Sequence, residues 1–324
     1  VRVFTEHAGP VVALAVSPDG RDLASASWDG TARIRPLSGG EGRALEGHAG
    51  NVNAVAFLPD GRLVSAGSDL TLRIWSAQPG EAPAVVTLPS PLNAVATTPD
   101  GGIAAAGADG IVRLLGPDGA LRAAVELPRG PVIALAASPD GARVAAATVA
   151  GAVAVISRAE ARILFHLVGP GLPVWSLAYR PDGREILTGG SDRLVRRWNA
   201  VSGEPVGPLS LERPTDMLAG FTGSRGAEMF QACAACHTLT PDGGNRAGPT
   251  LHGVFGRRIA TAPGYPFSEA LKQLDIVWSA ETISKLFELG PSRYTPGTKM
   301  PEQIVSNDRD RAALIEFLEG ATRP

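Results

Sequence analysis

Cysteine is nearly absent from this chain, with two in 324 residues, three positions apart. That count excludes a disulfide framework and a four-cysteine zinc site within one chain. Long apolar runs are missing as well. The longest stretch free of charge and proline, Val144 to Ser157, is fourteen residues, too short for a hydrocarbon core of about 30 Å, so no transmembrane helix is expected. Neither sign of charge dominates: 30 Lys and Arg stand against 32 Asp and Glu, for a formal net charge of -2. With the basic residues scattered, nucleic acid and anionic membrane surfaces are not expected partners. No basic segment followed by an apolar core opens the chain, so any export signal is expected to lie upstream or to have been removed. What is present is an ordinary globular composition, 44% hydrophobic and 19% charged, over a length that accommodates two domains.

The first two hundred residues repeat. The tetrapeptides Ser17-Pro18-Asp19-Gly20, Leu58-Pro59-Asp60-Gly61, Thr98-Pro99-Asp100-Gly101, Ser138-Pro139-Asp140-Gly141 and Arg180-Pro181-Asp182-Gly183 start 41, 40, 40 and 42 residues apart, and a fixed period marks a repeat architecture. Alternating runs such as VVALAVS, VNAVAF and VWSLAY precede each Pro-Asp-Gly, and short apolar runs such as LVSAGS and ILTGGS follow it. Each reads as strand, turn, strand, because Pro presets the first turn position and Gly accepts positive φ. A second hairpin closes most units: Trp28-Asp29-Gly30 before TARIR, Ser68-Asp69-Leu70 before TLRIW, Ala108-Asp109-Gly110 before IVRLL and Ser191-Asp192-Arg193 before LVRRW.

These units resemble the WD-repeat family, which implies an all-β propeller with five four-stranded blades visible over residues 1–205. In the second unit His48, Ser65, Asp69 and Trp75 match the hydrogen-bonded tetrad by which that family locks a blade, so a structural role is expected for them. The first unit keeps His7, Ser25 and Asp29 but has Arg35 in place of Trp, and the fourth has Ala150 in place of Asp. Two segments read as outer strands, VRVFTEH before the first unit and PVGPLSL after the last. Both cannot complete one blade of a five-bladed ring. A closed ring with one segment spare is the preferred expectation, and further blades upstream are the alternative.

From Asn199 to Thr222 the repeat gives way to Gly, Pro and mixed polar residues, and 206–222 is read as a linker. Beyond it the period becomes helical. Ser224 to Gln231, Ala280 to Leu289 and Asp308 to Glu319 place apolar residues three and four apart, with Ser279 and Asn307 as candidate N-caps. The only cysteines lie here, in Cys233-Ala234-Ala235-Cys236-His237. C-x-x-C-H is the attachment sequence for haem: two thiols on the end of a helix add to two vinyl groups, and the adjacent imidazole points at the iron. The alternative, a thioredoxin-like dithiol, requires a preceding strand within a parallel sheet, and the surrounding pattern is helical.

Several further stretches occur in order: Gly226 and Phe230 before the first cysteine, then GPTLHGVFGRR at 248–258, APGYPF at 262–267, Trp278, and YTPGTKMP at 294–301. With C-x-x-C-H they resemble class I cytochrome c across 223–324, which implies an all-α domain with one covalent haem c (heme c). The resemblance implies that His237 and Met300 are the axial ligands of the iron and that the Pro249 carbonyl accepts the imidazole N–H. It further implies that Arg257 and Trp278 face the haem propionates, and that Gly226 and Phe230 meet Leu314 and Phe317 where the first and last helices cross. Other ligands fit poorly even without it. Met217 lies in the linker, Met229 sits one turn before the attachment cysteines, and His7, His48 and His166 belong to propeller units. His252 matches a structural histidine.

Two departures from that family bear on function. Phe267, Leu271 and Leu286 or Phe287 stand where mitochondrial-type relatives place polar residues near the haem, so a polar network is thinned and the potential is expected to shift. Residues 221–324 carry 11 Lys and Arg against 11 Asp and Glu, so long-range steering to an acidic partner is weak and specificity falls to the propeller. The expectation is a periplasmic electron carrier, not itself an enzyme, whose propeller docks the haem to a redox protein or a membrane respiratory complex. A structural or redox-sensing subunit is the first alternative, and a propeller dehydrogenase feeding a fused haem the second.

Overall fold

The computed structural model describes residues 3–128, 130–169, 171–191, 194–207, 218–221, 223–234 and 236–323. The Asp192-Arg193 turn, most of the linker with Met217, the end of PVGPLSL, and Ala235 lie outside the described residues. Nineteen described strands form five antiparallel meanders. Blade 1 holds β1 (Val11–Val16), β2 (Asp22–Ser27), β3 (Ala32–Pro36) and β4 (Arg43–Leu45). Blade 2 holds β5 (Val52–Phe57), β6 (Leu63–Gly67), β7 (Thr71–Trp75) and β8 (Ala84–Thr87). Blade 3 holds β9 (Leu92–Thr97), β10 (Ile103–Gly107), β11 (Ile111–Leu115) and β12 (Leu121–Glu126). Blade 4 holds β13 (Val132–Ala137), β14 (Arg143–Thr148), β15 (Val153–Ser157) and β16 (Arg162–Leu167). Blade 5 shows β17 (Val174–Tyr179), β18 (Glu185–Gly190) and β19 (Val195–Asn199), with an isolated bridge from Trp198 to Pro205 where its fourth strand is expected.

The recurring Pro-Asp-Gly turns have one physical cause. Gly20, Gly61, Gly101, Gly141 and Gly183 all adopt positive φ, which costs glycine least. The preceding carboxylate accepts the backbone N–H two residues on, as from Arg21 to Asp19 at 3.1 Å and Ala142 to Asp140 at 2.9 Å. In blade 2 the tetrad is assembled: His48 Nδ1 lies 3.0 Å from Asp69 Oδ1, His48 Nε2 lies 2.7 Å from Ser65 Oγ, and Trp75 Nε1 donates to the same Oγ at 2.8 Å. Blade 1 keeps the His7 contacts to Asp29 and Ser25, both at 2.8 Å. Its Arg35 turns instead to Glu6 and lies over the Phe4 ring.

The blades do not close into a ring. Inner strands adjoin in sequence order, β1 to β5, β5 to β9, β9 to β13 and β13 to β17, and no comparable contact returns from β17 to β1 among the described residues. Val11, Leu14 and Val16 of β1 are accordingly 49%, 63% and 55% exposed. The five blades stand as an open arc.

The remainder is helical, with 3-10 turns at Ala219–Phe221 and Pro241–Gly243 and helices α1 (Arg225–Ala234), α2 (Glu269–Lys272), α3 (Ala280–Leu289), α4 (Pro291–Tyr294) and α5 (Asp308–Ala321). Both expected caps form: Ser279 and Thr282 make a reciprocal capping box, and the Asn307 side chain accepts from the Arg309 and Asp310 amides. Helices α1 and α5 cross at Gly226, where an added Cβ would lie 2.2 Å from the Ala313 carbonyl oxygen. Phe230 is fully buried there against Phe317, with ring centroids 5.5 Å apart, and Leu314 joins the same core. No described helix is long and apolar enough to cross a membrane.

Two outcomes follow from this packing. Gly226→Val forces the crossing apart and lowers stability by about 1–3 kcal/mol, read from denaturant unfolding of the holoprotein. In the propeller, burial would raise the Asp29 carboxyl, but hydrogen bonds from Thr31, His7 and Ala8 outweigh it and hold the group at about 2. Asp69 is likewise held below its ordinary value by His48, Ala49 and Thr71 against the cost of burial. A carboxyl that gives up its proton more readily when folded stabilises the protein above its unfolded pKa, and this contribution is lost as pH falls through the folded one. The propeller melting temperature therefore drops between about pH 4 and pH 2, and Asp29→Asn with Asp69→Asn flattens that slope in calorimetry.

Candidate functional site

The C-terminal end of α1 delivers the attachment motif to the wall of an apolar cavity enclosed by α1, α3 and the loops at 247–268 and 295–303. Cys233, Cys236, His237, Pro249, Arg257, Trp278 and Met300, distant in sequence, all line this one cavity. Met229 and His252 do not line it. His166 lies on the propeller strand β16.

His237 is fixed by two features. Its Nδ1 donates to the Pro249 carbonyl at 2.7 Å, which leaves Nε2 as the basic nitrogen. The ring packs against Gly248, where an added Cβ would stand 2.4 Å from Cε1. Burial lowers the imidazole pKa, with the Pro249 bond acting against it, so the ring is neutral at neutral pH, as an iron ligand must be. Arg246 anchors this wall by donating to the Ala234 carbonyl at the end of α1 at 2.9 Å, one of the carbonyls a helix end leaves open. Asn245 ties the wall together from the outside, donating to Pro263 O at 2.8 Å and accepting from Thr250 N at 2.9 Å.

The two thiols are not a reactive dithiol. Burial pushes Cys233 up to about 12 and Cys236 to about 11, whereas a redox-active C-x-x-C lowers its thiol pKa. Cys233 lies in the last turn of α1 and Cys236 just beyond it, where a thioredoxin-like motif needs a preceding strand.

The other cavity residues fit a large group carrying anionic substituents. The half-buried Arg257 donates to the carbonyls of His252 at 3.0 Å and Thr250 at 2.6 Å. No carboxylate pairs with it among the described residues, and burial pulls its pKa down, a cost that an anion in the cavity would offset. Trp278 is held by backbone bonds to Arg257 and Gly256, and its indole N–H has no acceptor among the described residues. Phe267, Leu271, Leu286 and Phe287 complete an apolar lining. Tyr265, not singled out in the sequence, lines the cavity and donates from its hydroxyl to Ala247 O at 2.6 Å. A tyrosine within APGYPF was the only available sign of it.

A second contribution missed in the sequence comes from the propeller. Trp175 of β17 lines the cavity, while Ile133 of β13 and Val149 after β14 pack against Ala232 and Cys236. At the positions equivalent to Ile133 and Trp175, blades 2 and 3 carry Asn53 and Asn93, which donate to the next blade at Leu92 O and Val132 O. Val149-Ala150 replaces the polar turn that holds Asp69 in blade 2. The signal was legible as a departure from the repeat at three positions, but its meaning required knowing what lay above blades 4 and 5.

Gly248→Ala displaces the His237 ring, with an expected loss of roughly ten- to a hundredfold in axial-ligand affinity. A high-spin fraction in the visible spectrum of the holoprotein measures it.

Comparison with known proteins agrees with this geometry. Residues 223–322 match the cytochrome c family, and residues 1–35, 39–76 and 162–199 match the WD40 family (WD domain, G-beta repeat). The cytochrome c of Gibberella zeae is 40% identical over 107 residues, covering 33% of this chain and all of the relative. Those of Cochliobolus lunatus and Arabidopsis thaliana are each 43% identical over 100 residues, covering 31% of this chain and 92% and 88% of the relatives. Its C-terminal part thus makes the chain a member of the cytochrome c family, with covalently bound haem c as cofactor and WD40 repeats preceding it.

Proposed function

We propose that this chain is a periplasmic one-electron carrier, built as a propeller domain over 1–205, a linker over 206–222 and a haem domain over 223–324. In it Cys233 and Cys236 form the thioethers, His237 and Met300 ligate the iron, and the propeller docks the carrier to a redox protein or a membrane respiratory complex. The observation that carries this reading is the convergence of all seven predicted residues on one cavity, with the buried His237 oriented by its bond to Pro249 at 2.7 Å. When bound, haem supplies a ferrous/ferric couple and needs no substrate site.

The chain's own residues set the conditions for that couple. Pro249 orients His237 and strengthens it as a donor, and Met300 together with His237 would favour a higher potential than two imidazoles would. The apolar lining excludes water, and Arg257 and Trp278, which line the same cavity, would offer a cation and an N–H to the anionic substituents of a bound group. His237 and Met300 would together hold the iron, and the reading is therefore of an electron carrier rather than an enzyme. The periplasm follows from chemistry, since haem is joined to C-x-x-C-H polypeptides on the outer side of the bacterial inner membrane. Docking is assigned to the propeller because the haem domain has balanced charge, and because blade 4 already packs beside Cys236 while Trp175 of blade 5 lines the cavity.

Two measurements test the reading. Ferrous wild-type protein does not bind carbon monoxide rapidly, whereas Met300→Ala does and loses its low-spin spectrum; rapid binding by the unmutated protein would overturn the assignment of Met300. Trp175→Ala admits water at the cavity mouth and lowers the midpoint potential, because water stabilises the more highly charged ferric state. An unchanged potential would remove the propeller from the haem environment.

A further inference from the structure

Met300 stands in the irregular stretch between α4 and α5, and its two sides are held by different means. On the N-terminal side the turn is pinned by side chains. Ser268 Oγ donates to Gly297 O at 2.9 Å, Thr295 Oγ1 donates to Pro291 O at 2.9 Å, and the Met300 amide donates to Thr298 Oγ1 at 3.2 Å. Gly297, at a φ of 83°, lies against Ala270, where an added Cβ would stand 2.5 Å from the alanine Cβ.

On the C-terminal side, residues 301–304 make no main-chain hydrogen bond to another main-chain group among the described residues; the first after Met300 runs from Val305 N to Phe287 O at 2.9 Å. Two side chains tie this stretch down. Gln303 Oε1 lies 4.0 Å from Cys233 Sγ, but that contact uses the thiol hydrogen, which the sulfur gives up on forming a thioether. Glu302 is then the polar anchor that remains.

Glu302 is buried, at 6% exposure, and no cation pairs with it among the described residues. Its Oε2 accepts the Ser292 amide at 3.1 Å. That amide is the first N–H of α4, because Pro291 at the first helical position has none, and Gly290 before it supplies no side-chain cap. The carboxyl thus satisfies a helix-start donor that its own segment leaves open. Its other oxygen sits over Gly290, where any Cβ would collide with it. Gly290 also ends α3, donating to Leu286 O at 3.0 Å, and α3 carries Ile283, Leu286 and Phe287 into the cavity wall. Glu302 therefore joins the stretch after Met300 to the junction of two helices that frame the cavity.

We propose that Glu302 is a positioning residue for Met300: by capping α4 from two residues beyond the methionine, it clamps the C-terminal side of the ligand loop to the α3–α4 junction. The inference rests on the reading of Met300 as an axial ligand. Burying a carboxyl without a cation is costly, and one amide bond offsets only part of that cost. What the placement gains is geometry. With Ser268 and Thr298 anchoring one side and Glu302 the other, the residues between have little conformational freedom left to lose when the sulfur binds. Without Glu302 the N-terminal anchors persist, but Met300 leaves the cavity more often and an external ligand gains access.

The test compares wild-type holoprotein with Glu302→Ala, Glu302→Gln and Ser279→Ala, the last removing the cap at the far end of α3. Three quantities are read: the sulfur-to-iron charge-transfer band of the ferric form, the rate of carbon monoxide binding to the ferrous form, and the unfolding midpoint. Glu302→Ala weakens the band and speeds carbon monoxide binding about tenfold. Glu302→Gln, which keeps an oxygen for the Ser292 amide, returns both to near wild type. Ser279→Ala lowers the midpoint and moves neither. If the alanine variant does not retain haem, the same comparison is read from Glu302→Asp, whose carboxyl is one methylene short of Ser292. A lower midpoint with an unchanged band and rate makes Glu302 a helix cap alone and overturns the proposal. So does a glutamine variant that behaves like alanine, because the bond to Ser292 would then not be what holds the loop. Absence of the band from the wild type itself removes Met300 as the ligand, and the inference with it, so the two failures are told apart.

Discussion

The hydrogen bond from His237 to the Pro249 carbonyl is the contact on which the rest of the helical part depends. It selects the tautomer, points Nε2 into the cavity and joins the end of α1 to the loop that follows. Gly248 lets the two backbones come close enough for it, and Arg246 and Asn245 keep the loop in place. The α1–α5 crossing at Gly226 sets where α1 ends, and hence where Cys233, Cys236 and His237 stand relative to Met300. A close helix contact on one side of the fold thus fixes the geometry of the chemistry on the other.

The propeller rests on a different economy. Its blades are held by repeated apolar contacts between flat sheets, with each Pro-Asp-Gly turn stabilised locally by its own carboxylate. Because each blade depends mainly on its neighbours, tetrad residues can be lost where another contact replaces them. Blade 1 substitutes Arg35 with Glu6 and Phe4, and blade 4 gives up its polar turn for Val149 against Cys236. The departures from the repeat lie where something other than the repeat is being contacted.

Much of this was legible beforehand because it is local. Turn chemistry, strand alternation and helix caps act over a few residues, so the five repeats, the Ser279 and Asn307 caps and the bounds of α3 could be read directly. The attachment motif is equally local. Closure of the ring was misjudged for a physical reason: the alternation of β1 is the same whether or not a neighbouring blade covers Val11 and Leu14. Trp175, Arg246 and Tyr265 escaped notice because their roles lie in contacts with segments far away in the chain.

The sequence by itself determined the two architectures and the haem c cofactor, and it marked Cys233, Cys236, His237 and Met300 as the candidates to hold it, since each is written in residues that are contiguous or fall in a recognisable order. Only the tertiary structure decided that Arg257 is a half-buried cation with no carboxylate partner among the described residues. Burial, too, was its decision, turning Cys233 and Cys236 away from thiolate chemistry, and so was the open arc with its two bare faces. Those properties depend on which surfaces meet and how much water is removed between them, and no spacing along a chain encodes that separately from the fold.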